Sequence, residues 1–158
     1  PFSEMEQFVL TDQADTLTGS AATAGLNISA GGGNDFLITG SGADTVLGGT
    51  GADEVYANAG NDRILGDAGN DALYDGDGQD TISGGNENDY IQGDAGNDSL
   101  TGDSGDDFLR GDAGNDTVSG GTGNDSVYGG ADNDLVYGGD GNDEVYGGLA
   151  ADTVYGGM

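Results

Sequence analysis

Aspartate recurs every nine residues along most of this 158-residue chain: Asp35, Asp44, Asp53, Asp62, Asp71, Asp80, Asp89, Asp98, Asp107, Asp116, Asp125, Asp134, Asp143 and Asp152. The chain contains 30 acidic residues against two arginines, with no His and no Cys. Lysine is absent as well. Carboxylates and main-chain carbonyls are therefore the main chemical resource. Oxygen-only donors suit hard divalent cations, and a flexible shell of six to eight oxygens suits Ca2+ better than Mg2+. Soft metals are excluded by the lack of thiol and imidazole. General acid–base or nucleophilic catalysis is not expected within this chain, because no His or Lys is present to activate a Ser or Thr hydroxyl.

Something must position these carboxylates, and the composition alone predicts disorder. Leu, Ile, Val and Phe make up 28 of the 158 residues, 35 are Gly, and the net charge is −28. The same charge excludes nucleic acid as a direct partner. No apolar run is long enough for a membrane span. Disulfides are impossible without Cys.

Internal periodicity overturns the expectation of disorder. From Ala30 to Tyr155 the chain divides into fourteen nonapeptides with no insertion or deletion, from AGGGNDFLI through GDAGNDSLT to GGLAADTVY. Asp occupies position 6 and an aliphatic residue position 8 in all fourteen; Gly occupies position 4 in eleven and position 1 in ten. The glycines predict a tight turn over positions 1–6. Positions 7–9 read as a short strand with one inward side chain. No helical period survives so much Gly.

One aliphatic residue per nine cannot form a core within its own coil. Stacking of successive coils can, with parallel strands paired and two sheets facing each other across the inward aliphatics. Odd repeats then build one sheet and even repeats the other, seven coils in all. This core is too small to offset the conformational entropy of its backbone. Asp stacked on Asp adds repulsion. A bound cation between stacked turns resolves both problems. Fourteen turns contain twelve pairs of type i and i+2, so at most about twelve Ca2+ would bring +24 against −28. The expected metal ligands are the fourteen position-6 aspartates. The expected turn carbonyls include those of Gly31, Gly33, Gly49, Gly51, Gly66, Gly69, Gly93, Gly96, Gly111, Gly114, Gly121, Gly123, Gly139 and Gly141.

The nonapeptide resembles the G-G-x-G-x-D-x-U-x repeat of the repeats-in-toxin (RTX, hemolysin-type) family, a signature associated with Ca2+. The resemblance covers residues 30–155. It implies an all-β fold, a parallel β-roll: a right-handed two-sheet solenoid of nonapeptide half-coils with Ca2+ between turns. It also implies type I secretion from a Gram-negative bacterium, with the repeats unfolded in the low-calcium cytosol and folded outside the cell or at its surface. Toxins, proteases, lipases, epimerases, adhesins and surface-layer proteins share such repeats. The roll is therefore read as a folding and stabilising module. Two alternatives stand beside this: a self-assembly or adhesin segment contacting glycan or ice, and an accessory C-terminal module of a secreted hydrolase or epimerase.

Departures from the repeat carry their own expectations. Glu87, Asp132 and Ala150 replace Gly at position 4. Each would be strained if that position needs positive φ, and the two acids would alternatively add a ligand oxygen. Asp67, Asp94, Asp103 and Asp112 at position 2 are expected to lie outside the ligand shell. Residues 1–29 break the phase and read as an N-terminal cap or the end of an upstream domain, with Asp15–Gly19 a repeat out of phase and Leu26 and Ile28 a degenerate half-coil. The roll is expected over 30–158. The chain begins without Met and stops inside a fifteenth turn, so the expectation is a piece of a longer secreted protein.

The outward strand positions predict stacked pairs Tyr56/Tyr74, Tyr128/Tyr146 and Tyr137/Tyr155. They also predict three hydroxyl rungs, Thr81/Ser83, Ser99/Thr101 and Thr117/Ser119, interrupted by Arg63 and Leu135. These faces are either solvated β-surface or a flat repetitive surface for ice, a glycan or a second copy.

Overall fold

The computed structural model describes residues 6–19 and 21–157. Residues 1–5, 20 and 158 of the expected cap and roll lie outside the described residues. Two parallel sheets make up the described chain, and no helix occurs in it. The first sheet runs in the order Glu6–Val9, Leu26–Gly32, Thr45–Thr50, Arg63–Ala68, Thr81–Asn86, Ser99–Ser104, Thr117–Thr122, Leu135–Asp140, Thr153–Tyr155. The second runs Thr16–Thr18, Phe36–Ile38, Glu54–Tyr56, Ala72–Tyr74, Tyr90–Gln92, Phe108–Ala113, Ser126–Ala131, Glu144–Gly148. Short segments Asp77–Gly78 and Ala95–Gly96 pair beside it. Even repeats supply positions 7–9 of the first sheet and odd repeats those of the second. The chain winds through about eight coils.

Register follows from the repeat. Position 8 of each coil lies on position 8 of the next, as in Val46↔Ile64 and Leu109↔Val127. A slip of one residue would turn every inward aliphatic to solvent, so the pattern holds the sheets in phase. Twelve of these side chains, Leu37 through Val136, are 0–1% exposed. Val154, in the last strand of the first sheet, is 45% exposed.

Strands such as Thr45–Thr50 are longer than the repeat pattern predicts, whereas Phe36–Ile38, Glu54–Tyr56, Ala72–Tyr74 and Tyr90–Gln92 keep to positions 7–9. Thr45–Thr50 covers positions 7, 8 and 9 of one repeat and 1, 2 and 3 of the next. Its inward residues are Val46 and Gly48, both buried. In these longer strands position 1 is therefore a strand position pointing into the roll, and only positions 4–6 turn the corner. A glycine there carries no polarity by which its orientation could be read in advance.

Residues 6–29 add one coil to the seven of the repeats. Phe8 pairs with Ile28 and Leu17 with Leu37, steps of twenty residues where the repeats step eighteen. The extra two residues per coil are why the nonapeptide phase fails here. Leu26 and Ile28 are buried, and Phe8, Leu10 and Leu17 pack partly against them.

Candidate metal centre

Every position-6 aspartate uses one oxygen in the same way. Oδ1 accepts a main-chain N–H one coil earlier, Asp35 from Asp15, Asp44 from Leu26, Asp53 from Asp35, and so on to Asp152 from Asp134. The distances run from 2.6 to 3.1 Å. This ladder satisfies donors that the turn would otherwise bury unpaired. The backbone carbonyls of the same aspartates accept from position 7 of the next coil, as in Glu54 N–H to Asp35 O at 2.9 Å.

The second oxygen has no such use. Oδ2 is buried without a hydrogen-bond partner in thirteen of the fourteen, Asp35 through Asp143. The twelve from Asp35 to Asp134 are 1–4% exposed. Burial pushes Asp62, Asp71, Asp89 and Asp98 up to about 7, with the N–H bond opposing and neighbouring aspartates adding to the rise. Asp107 and Asp116 rise to about 6 for the same reasons. A row of buried anionic oxygens with no donor costs free energy unless a cation meets it.

Where position 1 is glycine, it holds open the space beside Oδ2. A Cβ on Gly48 would lie 2.6 Å from Asp53 Oδ2 and 2.8 Å from the carbonyl oxygen of Gly66. Gly66, Gly93, Gly102, Gly111, Gly120, Gly129 and Gly138 repeat this arrangement, each between its own Asp Oδ2 and the position-1 carbonyl of the next coil. Carboxylate and carbonyl oxygens thus converge on a cradle that only glycine leaves clear. The donor set is all oxygen, which fits Ca2+.

Of the glycines expected to contribute carbonyls, Gly66, Gly93 and Gly111 stand at position 1, and the carbonyls of Gly66 and Gly111 border these cradles. Gly31, Gly49, Gly121 and Gly139 stand at position 2, inside strands, with φ of 99, 103, 116 and 116°. Gly33, Gly51, Gly69, Gly96, Gly114, Gly123 and Gly141 stand at position 4. From Gly51 on, each of these has the position-4 carbonyl of the preceding coil against the face where a Cβ would project.

The position-4 substitutions adopt the glycine conformation, with φ of 73° at Glu87, 74° at Asp132 and 84° at Ala150. Glu87 also spends its carboxylate on the turn, accepting the N–H of Gly69 at 3.0 Å. The position-2 acids Asp67, Asp94, Asp103 and Asp112 are likewise left-handed, with φ between 48 and 74°. Asp94 accepts from Gln92, Asp103 from Ser83, and Asp112 pairs with Arg110.

Position 5 carries a ladder that the sequence reading did not single out. Asn97 Oδ1 accepts the N–H of Asn115, Asn115 that of Asn133, and Asn133 that of Ala151. Asn or its isostere Asp at nine-residue spacing was the available signal. A sidechain that caps the turn one coil on rigidifies the loop beside the cradle.

The family model for the RTX calcium-binding nonapeptide repeat (4 copies) matches residues 27–55, 38–73, 56–91, 74–109, 83–118, 110–145 and 128–158. The chain belongs to the RTX calcium-binding repeat family. The overlapping RTX matches run without a gap from 27 to 158, and include the cradle-lined turns described above. Family membership accounts for the two-sheet β-roll and for calcium as the ion of the repeats. RTX repeats are typical of proteins secreted by Gram-negative bacteria. No curated protein matches the chain. No helix long and apolar enough to cross a membrane occurs among the described residues.

Proposed function

We propose that this chain is a calcium-driven folding module of a secreted or surface protein, disordered at cytosolic calcium and wound into its roll after type I export. The position-6 aspartates hold the ions through Oδ2, together with carbonyls of the adjoining turns. The observation that carries this reading is the row of buried, unpartnered Oδ2 atoms, nine of the thirteen with glycine at position 1 of the same repeat. Calcium neutralises the oxygens that otherwise oppose burial. At roughly twentyfold over Kd, an ion stabilises the folded state by about 1.8 kcal/mol per site. Cytosolic calcium contributes almost nothing on the same relation.

The number of ions is smaller than the twelve turn pairs allow. Ala30, Thr39 and Ala57 place a side chain without a carboxylate where glycine elsewhere leaves the cradle clear. Thr39 Oγ1 further donates to the Ala57 carbonyl at 2.6 Å, occupying an oxygen the ion would need. Nine sites remain. Residues 6–29 act as a cap that covers the N-terminal end of the core. Catalysis belongs to other parts of a parent protein, for example a hydrolase or epimerase.

Circular dichroism of the whole chain against calcium tests the reading. A cooperative gain of β signal that chelator reverses is expected. A chain that is fully wound in excess chelator at neutral pH would reject it.

A second role is favoured by the outer face of the second sheet. Phe36, Tyr56, Tyr74, Tyr90, Phe108, Tyr128 and Tyr146 form one ladder of rings, with neighbouring centroids 4.7–6.0 Å apart. Such a stripe suits a sugar ring or a second copy of the roll. Glycan retention or calcium-dependent self-association, lost on replacing Tyr128 and Tyr146 by Ser, is the expected result. A monomer at high calcium with no retention would remove this role.

A further inference from the structure

Among the fourteen position-1 residues, Asp75 alone is charged. It follows Thr39 and Ala57 at eighteen-residue intervals in one stack of turns, and Gly93 and Gly111 follow it. Asp75 therefore stands where side-chain-filled turns give way to glycine-lined ones. Its side chain is 0% exposed. Oδ1 accepts the N–H of Gly76 at 2.7 Å, and Oδ2 has no partner. The ion pair found among the described residues, Arg110–Asp112, does not involve it.

One oxygen each of Asp75, Asp80 and Asp98 lie within 4.8 Å of one another. All three residues are buried. Asp80 and Asp98 already accept main-chain N–H groups through Oδ1, from Asp62 and Asp80, and their Oδ2 atoms are unpartnered like that of Asp75. Thr39 and Ala57 answer the same position with a hydroxyl that finds a carbonyl and a methyl that needs nothing. Asp75 answers it with a third carboxylate brought to a place that already holds two. Buried anionic oxygens at this separation require a positive partner.

We propose that Asp75 adds a third carboxylate to the turn pair of Asp80 and Asp98, making it a cation site that fills before the two-carboxylate sites of the repeat. The ligand is a hard oxygen-seeking ion: Ca2+ in solution, or a trivalent lanthanide as a probe. Ligand charge is one of the two features that set affinity in all-oxygen calcium sites. A third carboxylate raises it here without changing the turn. An ion held at this boundary ties the coils of Asp80 and Asp98 together and gives later ions a formed edge to extend. The proposal rests on the reading that the roll takes up calcium through its turns.

Terbium luminescence, sensitised by the tyrosines, tests it on the whole chain, with Asp75→Gly and Asp75→Asn beside the parent sequence. Glycine is the usual residue of this position, so the first variant is expected to fold. The parent chain should show about one equivalent of Tb3+ bound at a concentration about tenfold below the remaining equivalents. Both variants should lose the early phase, its equivalent in Asp75→Gly joining the later ones, and both should keep the later equivalents and the calcium-driven gain of β signal. A single binding phase in the parent chain, or an early equivalent that survives in Asp75→Gly, overturns the site while leaving the general calcium reading intact. A parent chain whose β signal ignores calcium overturns both, and the dichroism identifies that outcome independently of terbium.

Discussion

Asp89 Oδ1 accepts the main-chain N–H of Asp71 across one coil at 2.9 Å, while Asp89 Oδ2 has no partner at all. The two oxygens of one carboxylate thus have separate tasks, and substitution can divide them. Asp89→Asn retains an oxygen for the Asp71 N–H but replaces the anionic oxygen with a neutral amide. Asp89→Ala loses both. In calcium titrations followed by circular dichroism, Asn should raise the midpoint with the roll still forming at high calcium. Ala should add a further loss of about 1.5–3 kcal/mol, the usual cost of removing a charge-assisted hydrogen bond. Equal midpoints for Asn and the parent chain would mean that Oδ2 meets no ion.

Acidity should act in opposite directions with and without calcium. Burial raises Asp62, Asp71, Asp89 and Asp98 to about 7 and Asp107 and Asp116 to about 6 in the metal-free roll. These groups bind protons more tightly folded than unfolded. Their contribution to stability is full below the unfolded value of about 3.9 and is lost as pH rises through about 6–7. In chelator, β signal should therefore be greater at pH 4 than at pH 8. Calcium requires the ionised form, so its midpoint should rise as pH falls from 8 to 5.5, with protons released on binding. A calcium midpoint that does not move over this range would contradict the assignment.

Much of this arrangement is legible in the residues, because positions 6 and 8 each perform one task in every coil. Asp53 and Val55 announce the turn and the core by type alone, and the parallel two-sheet stack follows from having one inward aliphatic per nine. Gly48 is different. It reads as a turn residue yet lies buried in a strand, and its importance is the space it leaves beside Asp53 Oδ2. Absence of a side chain has no periodicity of polarity to detect. The aromatic ladder was half visible: the Tyr56/Tyr74 and Tyr128/Tyr146 pairs stack as their shared column predicts. Tyr90 and Phe108 join them from position 7 rather than position 9, a change of column that only adjacent strands reveal. The hydroxyl rungs Thr81↔Ser99↔Thr117 align as expected. The first coil hid its phase behind two additional residues.

Filling a cradle should remove one ion without unwinding the roll. Gly48→Ala puts a methyl 2.6 Å from Asp53 Oδ2 and 2.8 Å from Gly66 O, so the neighbours must shift and the ion loses its place. Calorimetric stoichiometry should fall by one, with the thermal midpoint lowered at saturating calcium. The reverse change, Ala57→Gly, should open a site beside Asp62 and raise the count by one. Unchanged stoichiometry in both variants would place the ions elsewhere in the turn.

Strain at position 4 should be measurable as stability. Ala150, at φ 84°, has only a methyl to justify a conformation that costs an L-residue about 1–2 kcal/mol, so Ala150→Gly should stabilise the calcium-loaded roll by about 1 kcal/mol. Asp132, at φ 74°, belongs to a residue type that tolerates this region better, and Asp132→Gly should gain less. Glu87→Gly relieves the same strain at φ 73° but forfeits the bond from Gly69 N–H to Glu87 Oε2 at 3.0 Å. Its net effect should be close to zero or slightly destabilising. Thermal unfolding at saturating calcium orders the three: Ala150→Gly highest, Asp132→Gly next, Glu87→Gly last. If Glu87→Gly proved the most stabilising, the Gly69 contact would contribute nothing, and conformational strain alone would govern position 4.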